Sequence, residues 1–307
     1  MTKVCFFTLR LAALLCVLGS ASSTFAHSGH VNWGPWDFDW EVKDSSGLAI
    51  RNVKYQNEEL IYKASMPVIR VKYDRDGDND GCGPYADQIS WGSLVDISFC
   101  GGARVCQQTY SSGGREWLEL GILAEIGEYR IYQVYYLSTD GWINAALWSK
   151  GLQCEINHTH HPYWRMDFDV AGAANDQVFV YADNRGNEGW GPGWHKYTQE
   201  QQDIKNPPVH QVWFQRDNST GHGVWIMPGA NDGTFDAFAA IDIATRRYHS
   251  NEDEPWRFGA WGDVGYNDGE DIQEKDDIFW YISHLHHMAA DGPGVWHHAG
   301  PWLHVSR

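Results

Sequence analysis

The sequence is poor in cysteine and in positive charge. It has 307 residues and only six cysteines, none of them in a CxxC pair. This argues against a zinc ribbon or a thioredoxin-like redox site. The 23 Lys and Arg are outnumbered by 40 Asp and Glu, for a formal net charge of −17. Because such a surface repels phosphates and attracts cations, we expect no nucleic-acid partner.

Long apolar runs are also missing beyond the N-terminus. The first 26 residues have early basic residues, a short apolar run from Leu11 to Leu18 and a small-residue end at Ala26. This pattern is typical of a cleaved secretory signal, and its apolar part is too short to cross a membrane. We therefore predict a signal peptide over 1–26, a secreted or periplasmic protein and no membrane span.

Long helical periodicity is absent, and strand patterns dominate. Gly, Asn, Asp and Pro clusters separate segments rich in β-branched and aromatic residues. These segments include GLAIRNVKYQ, ELIYKASMPVIRVKY, LELGILAEIGEYRIYQVYYL, DQVFVYAD, VHQVWFQR and DDIFWYISHLHHM. The pattern predicts an all-β protein, a large antiparallel β-sandwich with long loops. No linker, repeat or low-complexity tract divides the chain, so 27–307 is predicted to be a single domain.

Four cysteines remain after removal of the predicted signal, namely Cys82, Cys100, Cys106 and Cys154. An exported chain can oxidise them, and four cysteines allow three pairings. Cys100 and Cys106 enclose the shortest loop, around CGGARVC, and are the favoured pair.

The run INHTHHPYWRMDFDV, residues 156–170, places His158 and His160 two residues apart, as are Asp167 and Asp169. Side chains alternate between the faces of a strand, so the histidines share one face and the aspartates the opposite face. A bulge at Pro162 would shift this parity. Imidazole suits copper or zinc, whereas carboxylate suits calcium or manganese.

The run KDDIFWYISHLHHM repeats this arrangement, because Asp276 and His287 lie eleven residues apart. Laid beside the first strand, it would complete a three-histidine site at one end and a three-aspartate site near the other. From spacing alone, histidines that are only solvated or hydrogen-bonded remain an alternative.

The turn DGDNDGCG admits three interpretations. Asp76, Asp78 and Asp80 are spaced like the start of an EF-hand calcium loop. The twelfth position is Asp87 instead of the usual Glu, and Pro84 lies inside the loop. A plain acidic turn and a site for a catalytic base are the alternatives.

Several segments in the same chain order resemble the catalytic β-sandwich domain of the copper-containing amine oxidases. They are WDFDWEVKDSSGLAIRNVKY, LIYKASMPVIRVKY, NHTHHPYWRMDFDV and DIFWYISHLHHM. The resemblance implies copper on His158, His160 and His287. It also implies a calcium or manganese site on Asp167, Asp169 and Asp276, helped by the backbone carbonyls of Phe168 and Asp277. The smaller N-terminal domains of that family are expected to be absent.

The resemblance also implies a cofactor, topaquinone, made from a tyrosine of the chain. Tyr129 stands eleven residues before the Asp140–Gly141 turn, as in the family, but Glu128 replaces the family's Asn and Arg130 its acidic residue. The general base would be Asp76, although Asp78 replaces a glycine of the family's loop.

The sequence therefore predicts an exported copper amine oxidase-like enzyme, a homodimer. It would convert a primary amine and dioxygen to an aldehyde, ammonia and hydrogen peroxide. One alternative is a secreted copper protein whose Tyr129 remains a tyrosine, favoured by Glu128 and Arg130. Another is a polysaccharide monooxygenase with a histidine brace at His27, which would begin the processed chain.

Overall fold

The computed structural model describes residues 27–44, 46–73, 82–182, 191–205, 211–233, 238–239, 241–250 and 267–307. The predicted signal peptide and the turn residues Asp76, Asp78 and Asp80 lie outside these ranges. Within them, twenty strands form two antiparallel sheets, with three short 3-10 helices and no α-helix. The predicted all-β sandwich is confirmed. None of the described helices is long and apolar enough to cross a membrane.

The first sheet contains the strand with the paired histidines. Its order is β1 (Ser28–Trp33), β2 (Trp36–Lys43), β3 (Gly47–Tyr55), β4 (Glu58–Lys72), β10 (His158–Asp167), β17 (Asp277–Ile282), β16 (Ile243–Arg247) and β13 (Gln201–Asp203). Two short strands extend it, β5 (Tyr85–Asp87) beside β4 and β18 (Leu285–His287) beside β10.

The second sheet faces the first. Its order is β12 (Gly193–Lys196), β11 (Asp176–Ala182), β14 (Val212–Asp217), β15 (Gly223–Met227), β20 (Trp302–Ser306), β9 (Trp142–Lys150), β8 (Tyr129–Ser138), β7 (Arg115–Ile126) and β6 (Val105–Ser112), with β19 (His297–Ala299) also paired to β9. The 3-10 helices are Trp91–Ser93, Ser98–Cys100 and Ala289–Asp291.

Alternation in sequence directs one face of most strands to the core. In β2, for example, Trp36, Phe38 and Trp40 are buried while the residues between them are partly exposed. The run LELGILAEIGEYRIYQVYYL divides into β7 and β8, because Gly127 adopts a φ of 57° that favours glycine and turns the chain. Side chains from both inner faces form one apolar core between the sheets.

β10 keeps its two-residue alternation along its whole length. Its register with β4 shifts between Tyr163 and Arg165, where two residues of β4, Met66 and Pro67, lie opposite Trp164 alone. A proline lacks the amide hydrogen that a ladder needs, so it is tolerated at such a bulge. The irregularity is therefore in β4, and the bulge considered at Pro162 does not shift the faces of β10.

The stretch 275–288, predicted as one strand, is instead divided into β17 and β18. The break at Ser283 and His284 lies opposite His161 and Pro162 of β10. Pro162 has no amide hydrogen to offer, and the backbone of His284 pairs instead with Asp232 and Gly233. Because the register of the two pieces on β10 is the same, His287 still reaches His158.

Two disulfides link described residues. Cys100 pairs with Cys106, as favoured from the sequence, and Cys82 pairs with Cys154 across a separation of 72 residues. The second bridge ties the start of β5 to the loop before β10.

Candidate metal centre

Three imidazoles meet between the two sheets at one end of β10. His158 and His160 come from β10, and His287 of β18 is the register partner of His158. Their ring centroids are 4.8 to 5.0 Å apart, and all three residues are buried. The structure thus brings the three histidines together that the sequence proposed as copper ligands.

The phenol of Tyr129 reaches this group from the opposite sheet. Its ring centroid lies 4.7 Å from that of His160 and less than 6 Å from those of His158 and His287. The Tyr129 hydroxyl is 2.9 Å from His158 Nε2, and it accepts hydrogen bonds from the Tyr73 hydroxyl and the Gln153 amide. Since both of these groups donate, the Tyr129 proton points to His158.

Backbone carbonyls orient two of the imidazoles. His158 Nδ1 is 2.8 Å from the carbonyl oxygen of Ile156, which can only accept, so Nδ1 holds the proton and Nε2 presents its lone pair. A backbone hydrogen bond to Gly151 engages His287 in the same way, and His287 Nε2 has no partner. Fixing the tautomer through the second nitrogen is how proteins prepare a histidine for a metal.

Burial keeps these imidazoles neutral, which is the form that binds metals. Burial and the neighbouring histidines lower the pKa of His287 to about 3 and also hold the pKa of His160 well below its usual value. Burial also lowers the pKa of His158. Neutral nitrogen donors of this kind fit a copper ion.

His160 gives the sharpest test of that fit. The residue is only 2% exposed, and neither ring nitrogen has a hydrogen-bond partner. A buried polar atom without a partner is costly, and a metal ion would satisfy it. The ring nitrogens of His158, His160 and His287 are nevertheless not all within 4.8 Å of one another. Among the described residues, two groups of acidic side chains do have their ligand atoms this close together. His158 Nε2 is turned to the Tyr129 phenol instead.

The proposed base, Asp76, lies outside the described residues, but the charge of another carboxyl, Asp87, acts on Tyr129. Asp87 of β5 pairs with Ile69 of β4, whose side chain is in the core, so Asp87 faces the same side. Burial raises the pKa of Asp87, and its charge raises the pKa of both Tyr73 and Tyr129. In the sequence Asp87 stands only at the last position of a possible calcium loop, whereas the structure places it in a strand.

The two residues that flank Tyr129 point away from the histidines. Glu128 lies in the exposed turn between β7 and β8, and Arg130 forms an exposed ion pair with Glu125 at 2.9 Å. Neither side chain therefore contacts the phenol, although the charge of Glu128 raises the pKa of Tyr129.

A fourth imidazole, which the sequence suggests is part of a solvated tail, lies beside the three histidines. His297 of β19 has its ring centroid 4.7 Å from that of His287 and lies 3.6 Å from Asp291. Its place beside His287 depends on the pairing of β19 with β9, which the local sequence does not reveal.

The aspartates form a second group at the other end of β10, on the opposite face. Asp167, Asp169 and Asp276 bring three carboxylate oxygens within 4.8 Å of one another. Burial and the like charges raise the pKa of Asp169 to about 7 and that of Asp276 to about 6. Arg165 pairs with Asp167 at 3.1 Å, and one oxygen each of Asp169 and Asp276 has no partner. Oxygen donors that repel one another in this way fit a hard divalent cation.

A further acidic group, Glu200, Asp268 and Glu270, was not expected from the sequence. The two oxygens of Glu200 accept backbone amides of Arg247, Asp268 and Gly269. Asp268 and Glu270 lie about 70 positions after Glu200 in the sequence, so only the tertiary structure brings the three together.

No family model matches the sequence, and no curated protein matches it either. Solved structures do match. A copper-containing benzylamine oxidase from Hansenula polymorpha has a TM-score of 0.72 at 14% identity, over 90% of this chain and 59% of the other. The chain has an amine oxidase-like fold.

Two further structures agree with this result. An amine oxidase of Aspergillus nidulans has a TM-score of 0.69 at 13% identity, over 98% of this chain and 55% of its own. A lysyl oxidase of Pichia pastoris has a TM-score of 0.67 at 13% identity, with coverages of 98% and 56%. This chain thus spans little more than half the length of these proteins. At such low identity the likeness shows the fold alone.

Proposed function

We propose that the protein is an exported copper-dependent oxidase of primary amines. It would convert an amine, dioxygen and water to an aldehyde, ammonia and hydrogen peroxide. The observation that supports this best is the position of the Tyr129 phenol, within hydrogen-bond distance of one of three buried, neutral imidazoles. The fold shared with solved copper amine oxidases supports the same proposal.

His158, His160 and His287 would hold the copper ion. When bound, copper supplies the redox chemistry with dioxygen that converts a neighbouring tyrosine to topaquinone. The chain itself positions that tyrosine, because Tyr73, Gln153 and His158 each make a hydrogen bond to the Tyr129 hydroxyl. These three contacts would hold the ring in one orientation.

Asp87 is the described residue best placed to act as the general base. Its carboxyl is partly buried on the core side of β5, and burial raises its pKa, the direction of shift that a general base requires. It would accept the proton from the α-carbon of the bound amine. Asp76 remains a sequence-based candidate for the same role.

The aspartate group would hold a calcium or manganese ion with a structural role. Asp167, Asp169 and Asp276 would supply carboxylate oxygens, with the backbone carbonyls of Phe168 and Asp277 as further ligands. The proposal includes the other sequence-based expectations, a cleaved signal over 1–26, a single domain over 27–307 and a homodimer. The two disulfides suit a secreted or periplasmic protein.

The replacement Tyr129→Phe tests the quinone. Protein matured with copper and air should contain a phenylhydrazine-reactive group and show the mass increment of a tyrosine-to-quinone conversion in the peptide with Tyr129. The variant should keep copper and lose the quinone and peroxide production. The matched control is Tyr135→Phe, because Tyr135 is buried on the same face of β8 but its hydroxyl bonds to the Leu48 carbonyl at 3.4 Å and not to an imidazole. An unmodified Tyr129 in copper-loaded wild type would refute this cofactor.

A copper protein without a quinone is the second candidate. The hydrogen bonds that hold the Tyr129 hydroxyl favour it, because they stabilise the phenol itself. Copper binding without peroxide production from any amine would support this candidate. The histidine brace has less support, since His30 pairs with Asp39 at 2.9 Å and the ring of His27 packs on Trp91.

A further inference from the structure

Asp176 is a completely buried carboxylate without a hydrogen-bond partner. It begins β11, and Val178 and Val180 of the same strand lie in the core, so the alternation directs Asp176 inward as well. The residue is 0% exposed, and both of its carboxylate oxygens lack a partner. Because a buried carboxylate without a partner is strongly unfavourable, its presence points to a ligand.

Asp277 faces Asp176 from the other sheet. It precedes Phe279 and Tyr281 on the core side of β17 and is 0% exposed. One of its oxygens accepts a hydrogen bond of 2.9 Å from Gln215, and the other has no partner. After burial, the charge of Asp277 is the strongest influence that raises the pKa of Asp176, followed by Asp169 and Asp276. Gln215 of β14 is diagonally opposite Asp176 of the neighbouring β11, so its hydrogen bond to Asp277 brings the two buried carboxylates to the same part of the core.

The geometry separates them from the outer position. Calcium binds oxygens at about 2.3–2.6 Å, so two ligand atoms of one ion are at most about 5 Å apart. Asp167, Asp169 and Asp276 satisfy this limit as a group, and the group includes neither Asp176 nor Asp277. A single ion held by the outer three would therefore leave the inner pair without a ligand.

The charges lead to the same conclusion. Asp176 and Asp277 are both completely buried, so when ionised they carry two negative charges in a place closed to water. One divalent ion bound between them would balance these two charges. Alternatively, the two inner carboxyls bind protons instead of a cation. Counting the bound calcium ions distinguishes these possibilities.

We propose that Asp176 and Asp277 form an inner position for a second hard divalent cation, beside the outer position of Asp167, Asp169 and Asp276. This inference rests on the outer site proposed above and is independent of copper and of amine oxidation. The inner ion would link the two sheets, because Asp176 belongs to one sheet and Asp277 to the other.

The test is the calcium content of the full-length protein in native mass spectrometry, after metal removal and reloading with Ca²⁺ alone. The variant Asp176→Asn keeps the shape of the side chain and should hold one calcium ion fewer than wild type. Asp277→Asn should also lose one ion, and it retains an oxygen for the Gln215 hydrogen bond. The control is Asp96→Asn, which removes an exposed carboxylate that belongs to neither acidic group and should leave the count unchanged.

Melting temperatures provide a second measurement. Without calcium, Asp176→Asn should melt no lower than wild type, because it removes a buried charge, and calcium should then raise its melting temperature less than that of wild type. An equal calcium count in wild type and both inner variants would overturn the proposal, as would an equal calcium-induced rise. Copper content is measured separately on copper-loaded protein, so failure of the copper site is seen on its own.

Discussion

The two ends of β10 keep ionisable side chains away from water in different ways. At the imidazole end, the buried groups can simply remain neutral, as their lowered pKa values indicate. At the carboxylate end, neutrality requires a proton or a cation, as the raised pKa values of Asp169 and Asp276 indicate. The neutral imidazole is also the metal-binding form, so the histidines can bind a metal ion without first losing a proton. At the carboxylate end, the metal ion must compete with protons for the same oxygen atoms.

The largest expected effect is a loss of amine oxidation from a replacement near the imidazole end that leaves the carboxylate end unchanged. Asp87→Asn should lower kcat/KM for a primary amine by about 10²–10⁴-fold, the usual contribution of a general base. Copper and calcium contents should not change, because Asp87 belongs to neither ligand group. Steady-state peroxide production and metal analysis measure the two quantities.

The control for this variant is Asp96→Asn, an exposed carboxyl near Arg104. If Asp87→Asn retains full activity, the base is elsewhere, and Asp76 becomes the leading candidate.

The next effect concerns the covalent bridge at the imidazole end. Cys82–Cys154 closes a loop of 72 residues and adjoins Gln153, whose amide contacts Tyr129. Replacing both cysteines with serine should lower the free energy of unfolding by about 4 kcal/mol on the chain-entropy relation. The same change at Cys100 and Cys106, six residues apart, should cost about 2 kcal/mol. Urea denaturation would measure both values, and equal losses would contradict this ordering.

The smallest effect is a difference in pH dependence between the two ends of the metal-free protein. Asp169 has a pKa raised from 3.8 to about 7, so its contribution to stability is complete below pH 3.8 and is lost as the pH rises through 7. His287 has a pKa lowered from 6.5 to about 3, so its contribution is present above pH 6.5 and is lost as the pH falls toward 3. The two slopes oppose each other in wild type.

Single replacements should separate these slopes in melting curves recorded with a chelator. Asp169→Asn should reduce the loss of stability between pH 4 and 7, and His287→Gln should reduce the loss below pH 6.5. Calcium should suppress the first slope and leave the second. Identical pH profiles for both variants would show that the ends do not differ in this way.

The sequence was sufficient for features that depend on neighbouring residues. The alternation of apolar residues in strands such as β2 predicted the sandwich, and the two-residue spacing in β10 separated His158 and His160 from Asp167. The short loop between Cys100 and Cys106 likewise favoured the observed bridge. These patterns are local, and the pleat of a strand translates them directly into faces.

Features that depend on long-range pairing were beyond the sequence. Asp87 faces the core only because β5 pairs with β4, and the acidic turn before it offered a more conspicuous candidate. His297 approaches His287 through β19, and Asp176 meets Asp277 only where two sheets pack together. The break between β17 and β18 depends on a proline in the neighbouring strand.

The extra residue beside Trp164 belongs to β4 and not to β10, so the imidazole and carboxylate ends of β10 are joined by a regular strand. β10 is a regular strand without a bulge, so its pleat alone decides which side chains face the interior and which face away. Inserting or deleting a single residue between His160 and Asp167 would turn the carboxylates inward, onto the face of the imidazoles. We therefore expect β10 to tolerate insertions or deletions only in steps of two residues, whereas β4 accommodates one extra residue in its bulge.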